Sequence, residues 1–169
     1  LAIDGCKMSS NAAKEHSGTL DELKQKREKI RKRIQHCMKE HKTLDKRKPR
    51  ERERKERLEQ QLDSLDNHFE KIDQFLKTAT PRMGQGKRSK EVKSNLTDNE
   101  SAKMTTSKGT IQGYNGIATV DKKHQIIVDA QAFGEGQEHH TLQPVLESVK
   151  ATYQRTGISE DVFAEGIIV

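Results

Sequence analysis

The sequence has 169 residues, of which 34% are charged and only 30% are hydrophobic. An average soluble domain is roughly 45–50% apolar and about 25% charged, so this composition disfavours one compact domain with a large core. No segment approaches the ~20 consecutive apolar residues of a membrane span, and the first residues lack the basic start and apolar run of a signal peptide. Two cysteines, Cys6 and Cys37, are too few for a disulfide framework or a Cys-built zinc site. A reduced, cytoplasmic setting is therefore expected.

Charge is distributed unevenly along the chain. Residues 19–93 carry 24 Lys and Arg against 14 Asp and Glu, a net charge of +10. The rest of the chain carries 8 basic and 12 acidic residues, a net charge of −4. One central segment therefore holds all of the excess positive charge, which favours a polyanionic partner for that segment.

The first predicted element, within residues 1–18, is a short strand at the start of the chain. Leu1-Ala2-Ile3 is an apolar stub, and Asp4-Gly5 follows it directly. A strand that ends in Asp-Gly would place the carboxylate of Asp4 at the mouth of a sheet. Asp4 is therefore the first candidate for a functional side chain.

Residues 19–79 predict two helices of about equal length. The first has no internal Pro or Gly, and Thr19 is its expected N-cap, followed by acidic residues in the first turn. Steps of four and three place one stripe of residues on a single face of this helix, which we call its seam. The stripe is an interrupted heptad pattern of Leu23, Arg27, Ile30, Ile34, Cys37, His41 and Leu44. In the second helix the same alternating steps of four and three are unbroken, at Leu58, Leu62, Leu65, Phe69, Ile72 and Leu76.

Pro49 separates the two helical patterns and leaves two arrangements open. Pro is well tolerated at the first position of a helix, where its missing N–H would be unpaired in any case. An antiparallel helical hairpin would then bury both seams against each other. The alternative is a single long kinked helix that forms a homodimer. We favour the hairpin.

The basic residues of both helices are the candidates for contact with DNA phosphates. Lys and Arg are dense in the first helix, with Glu28 alone opposing them between residues 24 and 33. Charges alternate in sign over residues 50–57, and this pattern also fits a solvated helix face laced with i,i+4 ion pairs. The predicted DNA-binding set is Lys24, Lys26, Arg27, Lys29, Arg31, Lys32, Arg33, Arg50, Arg52 and Arg54.

Residues 80–108 predict a flexible linker, because they hold Pro, Gly, Ser and Thr with almost no apolar periodicity. Residues 109–169 predict a β-hairpin (111–120 and 125–133), then a helix, then the start of a strand. Pro144 is tolerable only in a first helical turn, so this helix should begin near His140 or Thr141 and end at Gly157. Asp129 falls inside the second hairpin strand, where we expect it to face an edge rather than a metal cleft.

Without the central insertion, the predicted order is strand, hairpin, helix and strand. This is the opening of an RNase-H-like fold, of the α+β or α/β class, interrupted by a long coiled-coil hairpin. The predicted divisions are 1–18 for the first strand and its Asp turn, 19–79 for the helical insertion, 80–108 for the linker and 109–169 for the remaining core.

Several short stretches share one family pattern: AIDGCK at 2–7, SSNA at 9–12, NLTDNESAKM at 95–104 and GTIQGYNG at 109–116, with Val120-Asp121 closing the last strand. With these stretches the chain resembles bacterial insertion-sequence transposases of the DDE type, in the group with a coiled segment after the first catalytic Asp. Gly113-Tyr114-Asn115 is the most distinctive part. Ile117 departs from the pattern, since the family often has Gln there.

The resemblance implies a catalytic and metal-binding role for Asp4. Such enzymes resemble one another in using three carboxylates to hold two Mg²⁺ ions during strand cleavage and transfer. The second Asp and the Glu of the family have no match here, so a fragment that is inactive by itself is expected. The implied partner is duplex DNA at the ends of a transposon, and no membrane partner is implied. The implied location is the bacterial cytoplasm. The alternative function is that of a non-catalytic basic coiled-coil protein that binds DNA or another protein.

Overall fold

The computed structural model describes residues 1–44, 48–84, 89–121 and 123–157. This part of the chain forms eight strands, three α-helices and two short 3-10 turns, the latter at Lys14–His16 and Glu138–His140. In chain order the elements are β1 (Ala2–Ser9), β2 (Ser17–Gly18), α1 (Leu20–Thr43), α2 (Pro49–Thr78), β3 (Arg82–Met83), β4 (Glu91–Val92), β5 (Ser94–Asn95), β6 (Ala102–Thr106), β7 (Gly109–Val120), β8 (Ile127–Phe133) and α3 (Leu142–Thr156). The strands pair in antiparallel fashion, so the fold is mixed and of the α+β class.

The chain divides into two compact units. Among the described residues, the first unit comprises Leu1–His16 and residues 97–157, and the second comprises Ser17–Gly84 and residues 89–96. The helices of the predicted insertion, 19–79, thus lie in one unit together with part of the segment expected to be a linker.

A four-stranded antiparallel sheet organises the first unit around the long strand β7. On one side β1 pairs with β7 from Ala2↔Val120 to Ser9↔Gly113. On the other side β6 pairs with the first part of β7, and β8 pairs with its second part. The pairing of β7 with β8 confirms the predicted hairpin, with an irregularity in register between Thr119 and Val120.

Helix α3 covers one face of this sheet. Ile117 of β7 packs with Val145 and Val149 of α3, and partly buried apolar side chains, Leu1, Ile3, Phe133 and Tyr153 among them, complete the core. Pro144 lies in the first turn of α3, and Gly157 follows the helix with a left-handed φ of 69°. Both ends of the predicted helix are therefore confirmed, because Pro needs no N–H partner in a first turn and Gly favours the left-handed cap.

Strand β1 differs from its prediction. It extends to Ser9, so Asp4 lies inside a strand rather than at the end of one. The polar residues from Asp4 onward are exposed, yet they stay extended because eight successive residues pair with β7. The expectation that Asp4 sits at the mouth of the sheet is therefore wrong.

In the second unit, Thr19 caps α1 as predicted. The Thr19 hydroxyl accepts from the backbone N–H of Glu22 at 3.2 Å, and the Glu22 carboxylate accepts from the N–H of Thr19 at 3.1 Å. The carboxylate of Glu91 accepts from the N–H of Leu20 at 2.6 Å. These carboxylates accept hydrogen bonds from N–H groups that have no partner within the helix. Their negative charge also interacts favourably with the positive N-terminal end of the helix dipole.

Helices α1 and α2 form the predicted antiparallel hairpin. Leu23 and Cys37 of α1 are buried, as are Leu58 and Ile72 of α2. An ion pair joins Arg27 to Asp73, and His41 contacts Glu59, each at 2.8 Å. The paired residue numbers rise along α1 as they fall along α2, which is the signature of an antiparallel arrangement. Pro49 stands at the first turn of α2, as predicted.

The prediction of a linker over 80–108 needs correction, because four strands lie in that segment. Strand β6 belongs to the main sheet, where Ala102 and Met104 are buried on one side. Two apolar residues are too few to show the alternation of a strand, so β6 has no recognisable strand pattern in the sequence. Strands β3 and β4 pair with each other, and β2 pairs with β5.

The strand predicted to begin at the end of residues 109–169 lies outside the described residues. Among the helices that are described, none combines the length and apolarity that crossing a bilayer requires.

Candidate functional site

Asp4 presents its carboxylate on the open face of the main sheet. It pairs across to Ala118 of β7, and Ala118 in turn pairs with Ala130 of β8. Side chains alternate between faces along a strand, and Ile3 packs into the core beneath α3, so Asp4 faces away from that helix. Its Oδ1 atom accepts from the N–H of Gly5 at 2.8 Å. Asp4 is therefore exposed, with small side chains beside it.

A second carboxylate lies near Asp4 but on the other face. The carboxyl carbon of Glu138 lies 3.8 Å from the position that a Cβ on Gly5 would occupy. Because neighbouring side chains of a strand point to opposite faces, Glu138 and Asp4 do not converge on one point. In the sequence Glu138 adjoins His139 and His140, a group disfavoured as a metal site because adjacent histidines point in different directions, and it reaches Gly5 through the turn before α3. Over the described ranges, no three His, Cys, Asp or Glu side chains gather into a metal-binding group.

Asp129 and Asp121 have structural partners. Ser148 of α3 donates to Asp129 Oδ1 at 2.8 Å, and Gln131 donates to Oδ2 at 3.0 Å. Asp129 therefore faces α3, not the edge that was expected. The N–H of His124 donates to Asp121 at 2.8 Å, and this hydrogen bond holds the pKa of Asp121 below its ordinary value of 3.8. Asp121 thus organises the turn between β7 and β8.

The Gly113-Tyr114-Asn115 motif joins separate segments to the sheet. A Cβ on Gly113 would lie 1.9 Å from the backbone oxygen of Met8, so only Gly fits there. The hydroxyl of Tyr114 donates to the carboxylate of Asp98, with O···O distances of 2.8 and 2.9 Å. Asn115 is fully buried, and its Nδ2 donates to the backbone oxygen of Glu135. The motif therefore supports the sheet that carries Asp4.

The structure separates the predicted DNA-binding residues of α1 into two groups. Three of them are in ion pairs: Lys24 with Asp21, Arg27 with Asp73, and Arg31 with Glu28. Arg27 lies at the helix interface with a side chain only 29% exposed. Lys26 is half-buried, whereas Lys29, Lys32 and Arg33 are exposed.

The residues predicted on α2 are exposed but sit among acidic neighbours. Arg50 and Arg52 are exposed, and Arg54 pairs with Glu40 of α1. Further along α2, Asp73 accepts from Lys77 at 2.9 Å. The hydrogen bond from Lys77, together with that from Arg27, holds the pKa of Asp73 below its ordinary value of 3.8 despite the opposing effect of desolvation. Residues 49–78 contain seven Lys and Arg against eight Asp and Glu, so this helix carries no net positive charge.

Comparison with known proteins adds no relative: no family model, no curated protein and no solved structure matches the chain.

Proposed function

We propose that this chain is part of a DNA transposase of the DDE type and supplies the first of its three catalytic carboxylates, Asp4. The single observation that carries the proposal is the pairing of two motif strands. Strand β1, which contains AIDGCK, lies directly beside β7, which contains GYNG. The stretches that carry the family resemblance are far apart in sequence, yet they form neighbouring strands of one sheet.

The order of elements also supports an RNase-H-like core. Strands β1, β7 and β8 are adjacent in the sheet in chain order and antiparallel, and helix α3 follows them and packs on one face. This is the strand, hairpin and helix order expected of the opening of that fold. The helical hairpin enters between the first two of these strands, at the place that the resemblance implies for a coiled insertion.

The described residues do not by themselves make a two-metal site. Mg²⁺ takes oxygen ligands and keeps several waters, so the carboxylate of Asp4 has the right chemistry for one ligand. Two ions need carboxylates from more than one strand, and Glu138 and Asp129 lie on the opposite face from Asp4. Asp4 would therefore supply one carboxylate ligand of the metal site, and the other carboxylates would have to come from other strands.

An activity assay with matched variants tests the proposal. The 169-residue chain, and the longest reading frame that contains it, are incubated with Mg²⁺ and duplex DNA that carries the element's ends. We expect strand cleavage only from the longer chain, and its loss in Asp4→Asn, which keeps the shape but removes the charge. Asp129→Asn in the same longer chain is the control, with activity retained. Undiminished cleavage by the longer Asp4→Asn enzyme would refute the assignment.

One observation favours the alternative of a non-catalytic DNA-binding coiled-coil protein. Both helices of the hairpin lie in the second unit, and residues 19–93, which make up most of that unit, carry the basic excess of the chain. If the longest reading frame contained no further Asp and Glu matching the family, and bound duplex DNA without cleaving it, this alternative would replace the transposase assignment.

A further inference from the structure

The exposed side of α1 carries a row of basic side chains that the ion pairs of the hairpin leave unneutralised. We define the basic ridge as Lys29, Lys32, Arg33, His36 and Lys39, all of them exposed. Their steps of three, one, three and three residues keep them on one side of a helix with 3.6 residues per turn. Ile30, Ile34 and Cys37 alternate with them on the side that faces α2. The ridge extends for about 15 Å along the helix axis, at 1.5 Å per residue.

The acidic residues at the two ends of the ridge are held by other arginines. Residues 29–39 contain no Asp or Glu, and Glu28 and Glu40 flank them. Glu28 contacts Arg27 at 3.6 Å and Arg31 at 3.7 Å, whereas Glu40 pairs with Arg54 of α2. In the described part of the chain, Lys29, Lys32, Arg33 and Lys39 form no ion pair. Four cations therefore face solvent without compensation.

We propose that the basic ridge is the surface through which this protein binds the phosphate backbone of duplex DNA, independently of base sequence. The proposal rests on the DNA-binding part of the proposed function and assigns it to one face of one helix. Neutralising phosphates with Lys and Arg releases counterions, and unpaired cations do this best because no internal partner competes. The ridge holds no Phe, Tyr or Trp that could stack on unpaired bases, so a duplex fits it better than a single strand.

Two variants with equal changes in net charge test this assignment in the full 169-residue chain. The ridge variant carries Lys29→Gln, Lys32→Gln, Arg33→Gln and Lys39→Gln. The control carries Lys48→Gln, Arg57→Gln, Lys77→Gln and Lys93→Gln, four cations of the same unit that are engaged in ion pairs and lie outside the predicted DNA-binding set. Each variant removes four positive charges, so a difference between them reports position rather than net charge.

Binding is measured by fluorescence anisotropy on a labelled duplex of random sequence across a range of salt concentrations. We expect the ridge variant to lose at least about tenfold in affinity, and its salt slope to fall by about 3 to 4, close to one per phosphate contact. The control should change by less than about threefold. Circular dichroism of each variant checks that the helices remain, and a Lys29→Arg, Lys32→Arg, Lys39→Arg variant, which keeps the charge, should bind like the native chain.

Two results would contradict the assignment of DNA binding to the basic ridge. Equal losses in both variants would mean that the overall field of the hairpin, not this face, attracts DNA, while the transposase proposal would stand. No measurable binding of the native chain to duplex DNA, even at low salt, would remove the ridge as a DNA surface altogether. The Asp4→Asn assay has a separate readout, so its failure leaves the binding result intact.

Discussion

At the level of single residues, Gly134 shows how closely two backbone segments approach each other in the first unit. A Cβ at this position would lie 1.6 Å from the backbone oxygen of Glu100. Gly134→Ala should therefore force the two segments apart and lower the free energy of unfolding by about 1–3 kcal/mol, the usual cost of overpacking. Chemical denaturation followed by circular dichroism measures the change.

Gly136 supplies the matched control for this substitution. A Cβ there would meet only the backbone oxygen of Lys103, at the ordinary contact distance of 3.8 Å. Gly136→Ala should change stability far less than Gly134→Ala. Equal effects would show that loss of glycine flexibility in this loop, and not the close approach to Glu100, is what the protein cannot tolerate.

At the level of elements, the ion pairs between α1 and α2 make the hairpin sensitive to acid. Hydrogen bonds from Lys77 and Arg27 hold the pKa of Asp73 below its ordinary value of 3.8. Because the folded pKa is the lower one, the unfolded chain binds the proton more readily. The contribution of Asp73 to stability is therefore complete above the ordinary value and is lost as the pH falls through the folded value.

Asp73→Asn should consequently reduce the pH dependence of hairpin stability in the acid range. Between about pH 5 and pH 2, the native chain should lose more unfolding free energy than the variant, because Asn has no proton to gain. Asp66→Asn, which removes the same charge from an exposed position of the same helix, is the control for the change in net charge. An Asp73→Asn profile that coincides with the native one would contradict the role of the ion pairs.

The same elements show what could be predicted from sequence. The seams of α1 and α2 predicted the hairpin because each long helix places apolar residues on the same face turn after turn, which makes the periodic pattern easy to recognise. The predicted first strand ends at Asp4, five residues before β1 ends, because exposed polar residues such as Lys7 and Ser9 show no strand pattern. Only their pairing with β7 holds them extended. Strand β6 was missed for a related reason, since Ala102 and Met104 alone carry its burial.

The candidate site was predicted less completely than the helices. Asp4 was identified from its motif, but the face that it occupies depends on the register with β7. The ion pairs that neutralise Lys24, Arg27 and Arg31, and leave Lys29, Lys32 and Arg33 free of such pairs, depend on the rotation of each helix. The pairing of Glu28 with Arg31 is local and could be anticipated, whereas the contact of Arg27 with Asp73 requires two helices from distant parts of the sequence.

At the level of the whole molecule, the second unit is an insertion whose two ends lie side by side. Ser17 pairs with Asn95 and Gly18 pairs with Ser94, so the chain enters and leaves this unit on neighbouring strands. Paired residues of antiparallel strands have Cα atoms about 4.5–5.5 Å apart. A short connection is therefore enough to replace the whole insertion without stretching the chain.

We predict that the first unit folds after residues 17–96 are replaced by a short Gly-Ser connection between His16 and Thr97. Every pairing of the four-stranded sheet joins residues that remain, and so does the core around Ile117, Val145 and Val149. The shortened chain should give dispersed amide resonances and a cooperative thermal transition. Residues 17–96 expressed separately should show the far-ultraviolet circular dichroism of helices. Introducing Gly134→Ala into the shortened chain should weaken it as it weakens the native protein, because Glu100 is retained. A shortened chain without dispersed resonances, beside a folded separate hairpin, would mean that the sheet depends on the insertion.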